Sequence, residues 1–251
     1  MSFSLSNKVA LVTGSSRGLG YGVAKSLGNA GANVVINYLN NRESAEKALG
    51  SLKAGGIHAM LVRADVSDPE QIASLVEAVE EKFGSLDILV PNATPDQPQK
   101  PIEEYDAEFY RQMYEFFVMS PFYLTRAVLP GMKKRGYGRI INITSEVFHS
   151  SVPEFSAYVA AKGGQIGWSR SMANELAPHG ITVNTVAPGW IPTERHENDP
   201  QEDKDAYLKT IPLGRWGKPD DVGNAVSYFS SDEASFITGQ TLCVNGGRTP
   251  W

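Results

Sequence analysis

The chain has 251 residues, 41% of them hydrophobic, and a formal net charge of −5 at pH 7. This balance argues against nucleic acid as a main partner, and no segment approaches the roughly 18 apolar residues of a membrane helix. The first strand begins near Lys8, which leaves no room for a signal peptide and makes the cytoplasm the expected location. Because Cys243 is the single cysteine, no intrachain disulfide can form, and we expect a buried, inert thiol. The four histidines lack metal-ligand spacing, so no metal site is predicted.

The amino-terminal segment predicts a strand, a glycine-rich turn and a helix in direct succession. The apolar run over 9–13 is typical of a strand buried on both faces. Glycines allow a tight turn and a close approach of a pyrophosphate, and a helix N-terminus offers free N–H groups to it. The segment over 14–20 therefore predicts a loop that binds the phosphates of a dinucleotide.

The end of the second strand, over 33–37, bears on the choice of cofactor. An acidic residue here would bind the ribose 2′-hydroxyl of NAD and repel a 2′-phosphate. The chain has Asn37 at this place and no carboxylate before Glu43. Arg17 is able to pair with a phosphate, although a solvated loop arginine is the alternative interpretation. These features favour NADP over NAD.

Strands and helices alternate along the rest of the chain. We predict helices over 42–54, 71–83, 104–134, 157–176 and 219–230, strands over 59–62, 86–90, 139–144, 180–186 and 240–244, and charged, irregular structure over 191–210. This alternation without a composition break predicts an α/β fold. We expect a single Rossmann-like doubly wound domain over 1–251, with a seven-stranded, mostly parallel sheet, helices on both faces and a substrate lid near 190–212.

A second motif combines Tyr158 and Lys162 on one predicted helix with Ser145 at the end of a strand. Residues four apart lie on the same helix face, so the lysine ammonium comes close to the phenol. A nearby positive charge lowers the pKa of a phenol from its usual value of about 10, which suits a general acid/base. Taken alone, the motif also fits an ordinary surface pair.

Several motifs occur together and in order: Thr13-Gly14-x-x-x-Gly18-x-Gly20, Asp65, Asn92-Ala93, Ser145, Tyr158-x-x-x-Lys162 and Pro188-Gly189-x-x-x-Thr193. Over its whole length the chain resembles the short-chain dehydrogenase/reductase family, and it is similar to the beta-ketoacyl-carrier-protein reductase and sugar dehydrogenase branches. The resemblance implies an oxidoreductase that moves a hydride between NADP(H) and a small carbonyl or secondary alcohol.

The resemblance also implies roles for individual residues. Tyr158 would be the acid/base, Lys162 would lower its pKa and hold the nicotinamide ribose, and Ser145 would bind the reacting oxygen. Further cofactor contacts are expected from the glycine-rich loop and from residues at the ends of later strands: Gly14, Ser16, Arg17, Gly18, Leu19, Gly20, Asn37, Asp65, Val66, Asn92, Ala93, Thr94, Pro188, Gly189, Ile191 and Thr193.

Two positions depart from the family pattern. Thr94 stands where the family usually has glycine, and we expect only a slightly shifted loop. Phe117 stands where the family has an asparagine whose backbone carbonyl holds a water that relays protons to the lysine. Proline lacks an N–H and clashes with the carbonyl four residues earlier, so Pro121 is predicted to keep the Phe117 carbonyl available; a tolerated kink is the alternative.

The substrate is less determined than the cofactor. Aromatic and polar residues suited to a small polar carbonyl are predicted to form the pocket: Glu146, Phe148, His149, Phe155, Trp190, Arg195 and His196. One alternative is 3-oxoacyl-carrier-protein reduction, which would want a basic patch, and the compact basic cluster is 133–135. Another is a non-catalytic, cofactor-binding regulator.

The resemblance and the aromatic-rich stretch over 105–128 predict a homotetramer or homodimer. Trp251 is expected either to fray or to anchor against a neighbouring subunit.

Overall fold

Seven parallel strands form the centre of the computed structural model, which describes residues 3–250. The strand order is β3-β2-β1-β4-β5-β6-β7, and every pairing is parallel. The strands are β1 (Val9–Val12), β2 (Asn33–Tyr38), β3 (Ala59–Arg63), β4 (Ile88–Val90), β5 (Gly138–Ile143), β6 (Ile181–Pro188) and β7 (Thr241–Val244). The order reverses beside β1, so a crevice opens beyond the carboxyl ends of β1 and β4.

Helices cover both faces of this sheet. They are α1 (Gly18–Asn29), α2 (Arg42–Ala54), α3 (Pro69–Phe83), α4 (Ala107–Tyr114), α5 (Ser120–Arg135), α6 (Val147–Ser150), α7 (Ser156–Leu176), α8 (Gln201–Lys209) and α9 (Pro219–Ser230). Alternate residues of β1 enter different apolar clusters: Val12 packs with α1 and α9, and Leu11 packs with α3, α5 and α7. The doubly wound α/β fold expected from the sequence is therefore confirmed.

The helical stretch predicted over 104–134 is divided. A π-helical turn, Glu115–Met119, separates α4 from α5. Pro121 has no N–H to donate to the carbonyl of Phe117, so the regular α-helical pattern cannot continue through this point. The sequence signalled the break through Pro121, but the apolar periodicity on both sides of it concealed the change of helix type.

Residues 191–210 are more ordered than predicted. They contain a 3-10 turn, Glu194–His196, and the helix α8. The charged sequence of α8 has no apolar stripe and none of its residues is fully buried, so its periodicity gives little signal. Cys243, expected to be buried, is only partly so.

The aromatic stretch over 105–128 packs largely within the chain. Phe109, Tyr110 and Phe116 lie against a small core cluster around Met113, while Tyr114 is 52% exposed. A subunit interface on this face stays a prediction, and Trp251 lies outside the described residues. Within residues 3–250, no helix is both long and apolar enough to cross a membrane.

Candidate active site

The glycine-rich turn after β1 has the shape that an anion site requires. Gly14 and Gly18 have φ values of +61° and +59°, which side chains rarely adopt. A Cβ at Gly20 would lie 2.5 Å from both the Asn92 amide nitrogen and the Gly14 carbonyl oxygen. The first turn of α1 has no side-chain cap and no acidic residue, so its N–H groups remain available to a phosphate. These residues fit the pyrophosphate of a dinucleotide.

Thr13 joins the ends of β1 and β4 beneath this turn. Its hydroxyl accepts hydrogen bonds from the backbone nitrogens of Asn92 (2.8 Å) and Ala93 (2.9 Å). The Asn92 amide donates to the Thr13 carbonyl at 2.9 Å. Thr13 was part of the sequence motif without a predicted role, and it fixes the two strand ends that border the crevice.

Asn37 supports the same turn from β2. It is only 2% exposed; its amide oxygen accepts from the Gly14 nitrogen (3.2 Å), and its amide nitrogen donates to the Ala64 carbonyl (3.0 Å). Its amide is thus engaged within the protein, and no carboxylate stands there. The sequence did not predict that 38–41 would line the adjacent wall together with Arg17.

One cleft of about 620 Å³ brings the predicted cofactor residues together at the carboxyl ends of the strands. Every catalytic and cofactor residue predicted from the sequence lines it, as do Trp190, Arg195 and His196. Asp65 lies on its wall and accepts hydrogen bonds from Ser67. Gln112 and Phe116 also line the cleft, although no motif had identified them.

Tyr158 is partly exposed on the wall of the cleft. Burial raises its pKa to about 12, while a hydrogen bond to Ser145 and the charge of Arg195 act in the opposite direction. Burial outweighs these two groups that favour the phenolate, and the expected lowering of this pKa by Lys162 stays a prediction. The hydroxyl is therefore protonated at neutral pH.

Lys162 is buried and turned toward the protein interior. Its Nζ donates to the Ile143 carbonyl (2.8 Å) and to Gln165 Oε1 (3.0 Å). It lies 3.9 Å from the centroid of the Phe117 ring and 5.6 Å from that of Tyr158. Burial holds the pKa of Lys162 well below its usual value. The amine is thus close to Tyr158 but is held chiefly by neutral groups.

Part of the predicted substrate pocket faces elsewhere. Four predicted pocket residues are absent from the lining of the cleft: Glu146, Phe148, His149 and Phe155. The Glu146 carboxylate is 3% exposed and accepts hydrogen bonds from Tyr207 (2.5 Å) and Arg248 (2.7 Å). An ion pair formed over a long sequence separation therefore draws this side chain away from the cleft. Phe155 instead packs against Tyr158, with ring centroids 4.9 Å apart.

Trp190 and Arg195 are among the lid residues that do line the cleft. The Arg195 guanidinium donates to the Pro95 carbonyl (3.3 Å) and to Gln97 (3.0 Å), which links the lid to the loop after β4. The backbone nitrogen of Trp190 donates to the Tyr207 hydroxyl (2.7 Å), and the ring centroids of Trp190 and Tyr207 lie 5.3 Å apart. The lid is therefore connected both to the cleft and to the buried Glu146.

The family model described as enoyl-(acyl carrier protein) reductase matches residues 14–249. The chain belongs to the short-chain dehydrogenase/reductase family. It is 39% identical over 242 residues to the 3-oxoacyl-[acyl-carrier-protein] reductase of Staphylococcus aureus, covering 96% of this chain and 97% of that protein. The corresponding Vibrio cholerae enzyme is 41% identical over 245 residues, with 97% and 98% covered.

Solved structures of the short-chain dehydrogenase/reductase family have the same fold. A putative short-chain alcohol dehydrogenase from Sinorhizobium meliloti superposes with a TM-score of 0.92 at 32% identity, covering 99% of this chain and 98% of that one. A putative gluconate dehydrogenase from Agrobacterium tumefaciens has the same TM-score at 31% identity and the same coverage. The resemblance to this family and its fold, expected from the sequence, is confirmed.

Proposed function

We propose that this short-chain dehydrogenase/reductase uses NADP(H) to reduce a carbonyl compound, or to oxidise the corresponding secondary alcohol. The observation that carries the proposal is the convergence of Ser145, Tyr158 and Lys162 in the cleft that the glycine-rich turn borders. A cofactor-binding regulator would need the turn but not these three groups.

The protonation state of Tyr158 supports its role as the proton donor in the reductive direction. When bound, the nicotinamide cofactor supplies or accepts the hydride. A phenol is protonated at neutral pH, and burial raises the pKa of Tyr158 further, so its hydroxyl has a proton to give to the substrate carbonyl oxygen. Ser145 would hydrogen-bond the same oxygen and stabilise the charge that develops there.

The adenosine end of the cleft supports NADP over NAD. We propose that the turn and the first turn of α1 hold the pyrophosphate, and that Arg17 pairs with the 2′-phosphate. Residues 37–41 carry no carboxylate that would repel this phosphate. Asn40 and Asn41 line the same wall and offer neutral hydrogen-bonding groups.

A second candidate function is the reduction of a 3-oxoacyl group on a carrier protein, which the 39–41% identity to such reductases favours. The basic cluster 133–135 ends α5, just before the amino end of β5, whereas the cleft lies beyond the carboxyl ends of the strands. It therefore provides no basic patch at the mouth of this chain's own cleft. The substrate test must include both carbonyl classes.

The deciding experiment measures NADPH consumption, with NADH in parallel, against ketones, keto acids, sugar-derived carbonyls and a 3-oxoacyl thioester. We expect faster turnover with NADPH, and loss of turnover in Tyr158→Phe. Tyr21→Phe is the matched control, because that hydroxyl bonds Ser51 on α2. NADPH binding without turnover of any carbonyl would favour the non-catalytic alternative. Preference for the thioester would select the second candidate.

A further inference from the structure

The Lys162 amine is buried and has no ionic partner among the described residues. Lys162 is 4% exposed, and no ion pair within residues 3–250 involves it. Its two hydrogen-bond acceptors are the Ile143 carbonyl and the side-chain carbonyl of Gln165. The Phe117 ring lies over the same nitrogen. Of these groups, Gln165 is the one whose side chain supplies an acceptor.

Neighbouring side chains hold the backbone of Gln165, and its side-chain oxygen bonds Lys162. Gln165 follows Lys162 by three residues on α7 and is 2% exposed. Its backbone carbonyl accepts from the Ser169 hydroxyl (2.7 Å), which accepts from the Asn142 amide (2.9 Å). A buried amide without partners is costly, so a glutamine at this position needs the bond to Lys162.

The space beside this pair admits little solvent. A cavity of about 10 Å³ is lined by Phe117, Pro121, Lys162 and Gln165, among others. A cavity of this size has room for about one water molecule at most. Bulk water therefore does not solvate the ammonium from this side, and the two carbonyl oxygens take the place of its hydration.

We propose that Gln165 is a positioning residue that holds Lys162 in its charged form with one N–H left for the cleft. An ammonium has three donors, and the two carbonyl oxygens take two of them. Both oxygens accept only, and the Phe117 ring attracts a cation, so all three groups favour the charged amine. Burial opposes them. This inference rests on the proposed function for its catalytic consequence but not for its effect on Lys162.

Apart from Gln165, few groups around Lys162 can affect its protonation, because most of them are uncharged. Tyr158 is the titratable side chain facing it from α7, and the π-helical turn contributes the uncharged Phe117. The end of β5 contributes a backbone carbonyl and the neutral Ser145, and the loop after β4 contributes the neutral Asn92 and Ala93. Arg195 acts on Tyr158 from the lid. None of these groups provides a carboxylate that would substitute for Gln165.

Two nearly isosteric variants test the proposal on the full-length chain. Gln165→Met removes the acceptor, and Gln165→Glu replaces it with a carboxylate. The pKa of Lys162 is measured by NMR titration of the protein labelled at its lysine side-chain nitrogens, with Lys162→Met assigning the signal. The pH dependence of kcat/KM is measured in parallel. Ser169→Ala is the control, because it deletes a buried hydrogen bond to the Gln165 backbone and leaves the side-chain oxygen that accepts from Lys162 in place.

We expect opposite shifts. Loss of the acceptor in Gln165→Met removes a hydrogen bond that stabilises the charged form of Lys162. We therefore expect its pKa, and the apparent pKa of the basic limb of the kcat/KM profile, to fall by about one to two pH units, as for the loss of one hydrogen bond to a charge. In Gln165→Glu we expect both pKa values to rise, because a carboxylate stabilises the charged amine. In Ser169→Ala we expect both pKa values to stay unchanged.

Two outcomes would overturn the proposal: an unchanged pKa of Lys162 in both variants, or shifts in the same direction. If Gln165→Met does not fold, Gln165→Glu still decides, because a purely structural amide predicts no rise. Opposite NMR shifts without turnover of any carbonyl would support the role of Gln165 and reject the proposed function.

Discussion

Two buried ionisable side chains, Glu146 and Lys162, lie near the carboxyl end of β5, and their surroundings differ. The Glu146 carboxylate has the Arg248 guanidinium at 2.7 Å, with hydroxyls of Tyr207 and Thr249 around it. The Lys162 ammonium has two carbonyl oxygens and an aromatic ring. The first charge is neutralised inside the fold, whereas the second is only hydrogen-bonded.

The difference separates a structural charge from a functional one. A buried ion pair with full hydrogen bonding ties elements together, and here it links the loop after β5, the helix α8 and the segment after β7. A buried charge with incomplete compensation is costly and marks a functional site. Lys162 borders the cleft, where a bound anionic group or phenolate would complete its environment.

The largest expected effect comes from removing the incompletely compensated charge. In Lys162→Met we expect kcat/KM to fall about 10³-fold, the usual range for loss of acid/base assistance. The melting temperature should stay the same or rise, because an isolated buried charge is replaced by an apolar side chain of similar length. Steady-state kinetics and calorimetry on the same preparation measure both. A clear fall in melting temperature would contradict the comparison.

Breaking the ion pair of Glu146 with Arg248 should lower the stability of the fold, in contrast to the expected effect of Lys162→Met. Arg248→Met leaves Glu146 buried without its cation, and we expect the free energy of unfolding to fall by about 2 kcal/mol. The effect stays below that of a fully enclosed pair because Arg248 is 24% exposed. Urea denaturation measures it. The control is Arg215→Met, which breaks the surface pair with Asp221 and should cost under about 0.5 kcal/mol. Equal losses would show that burial of Glu146 does not matter.

The lid contains a histidine, His196, whose protonation should destabilise the lid at acidic pH. His196 Nδ1 accepts from the Thr193 nitrogen at 3.1 Å, so it must be unprotonated, and burial lowers the pKa of His196 below its usual 6.5. The folded state therefore disfavours the proton, and stability present above pH 6.5 is lost as the pH falls below it. We expect cofactor affinity to fall from pH 7.5 to 5.5, and less so in His196→Gln. Identical pH dependence in the two proteins would exclude this residue as the cause.

The smallest effect is expected at a position outside both clusters. Thr94 is exposed; its hydroxyl donates to the Pro95 carbonyl at 3.1 Å and accepts from the Gln97 amide, and both contacts are exposed. Because this side chain gives way to a ligand at little cost, Thr94→Gly should change the cofactor dissociation constant by less than about threefold, or 0.7 kcal/mol. Isothermal titration calorimetry measures the difference. A larger gain would mean that Thr94 restricts the cleft.

The parts of the molecule that local patterns determine were predictable from the sequence. The glycine-rich turn follows β1 directly, and Ser145 and Pro188 lie at strand ends, so parallel pairing brings them to one edge. The role of Glu146 was not predictable, because its partner Arg248 is distant in sequence and lies in a segment without periodicity. The spacing of Lys162 and Gln165 was a usable signal, since residues three apart share a helix face. The direction of the lysine amine still required the three-dimensional structure.

Trp190 gives this protein an internal optical probe. Its indole borders the cleft and stacks edge-on with Trp216, at 5.7 Å between ring centroids. We expect a ligand that enters the cleft to change the surroundings of this indole, so that tryptophan emission changes with occupancy in the parent chain and not in Trp190→Phe. Ligands can then be screened by fluorescence before any of them is known to react, which separates the search for a substrate from the search for turnover.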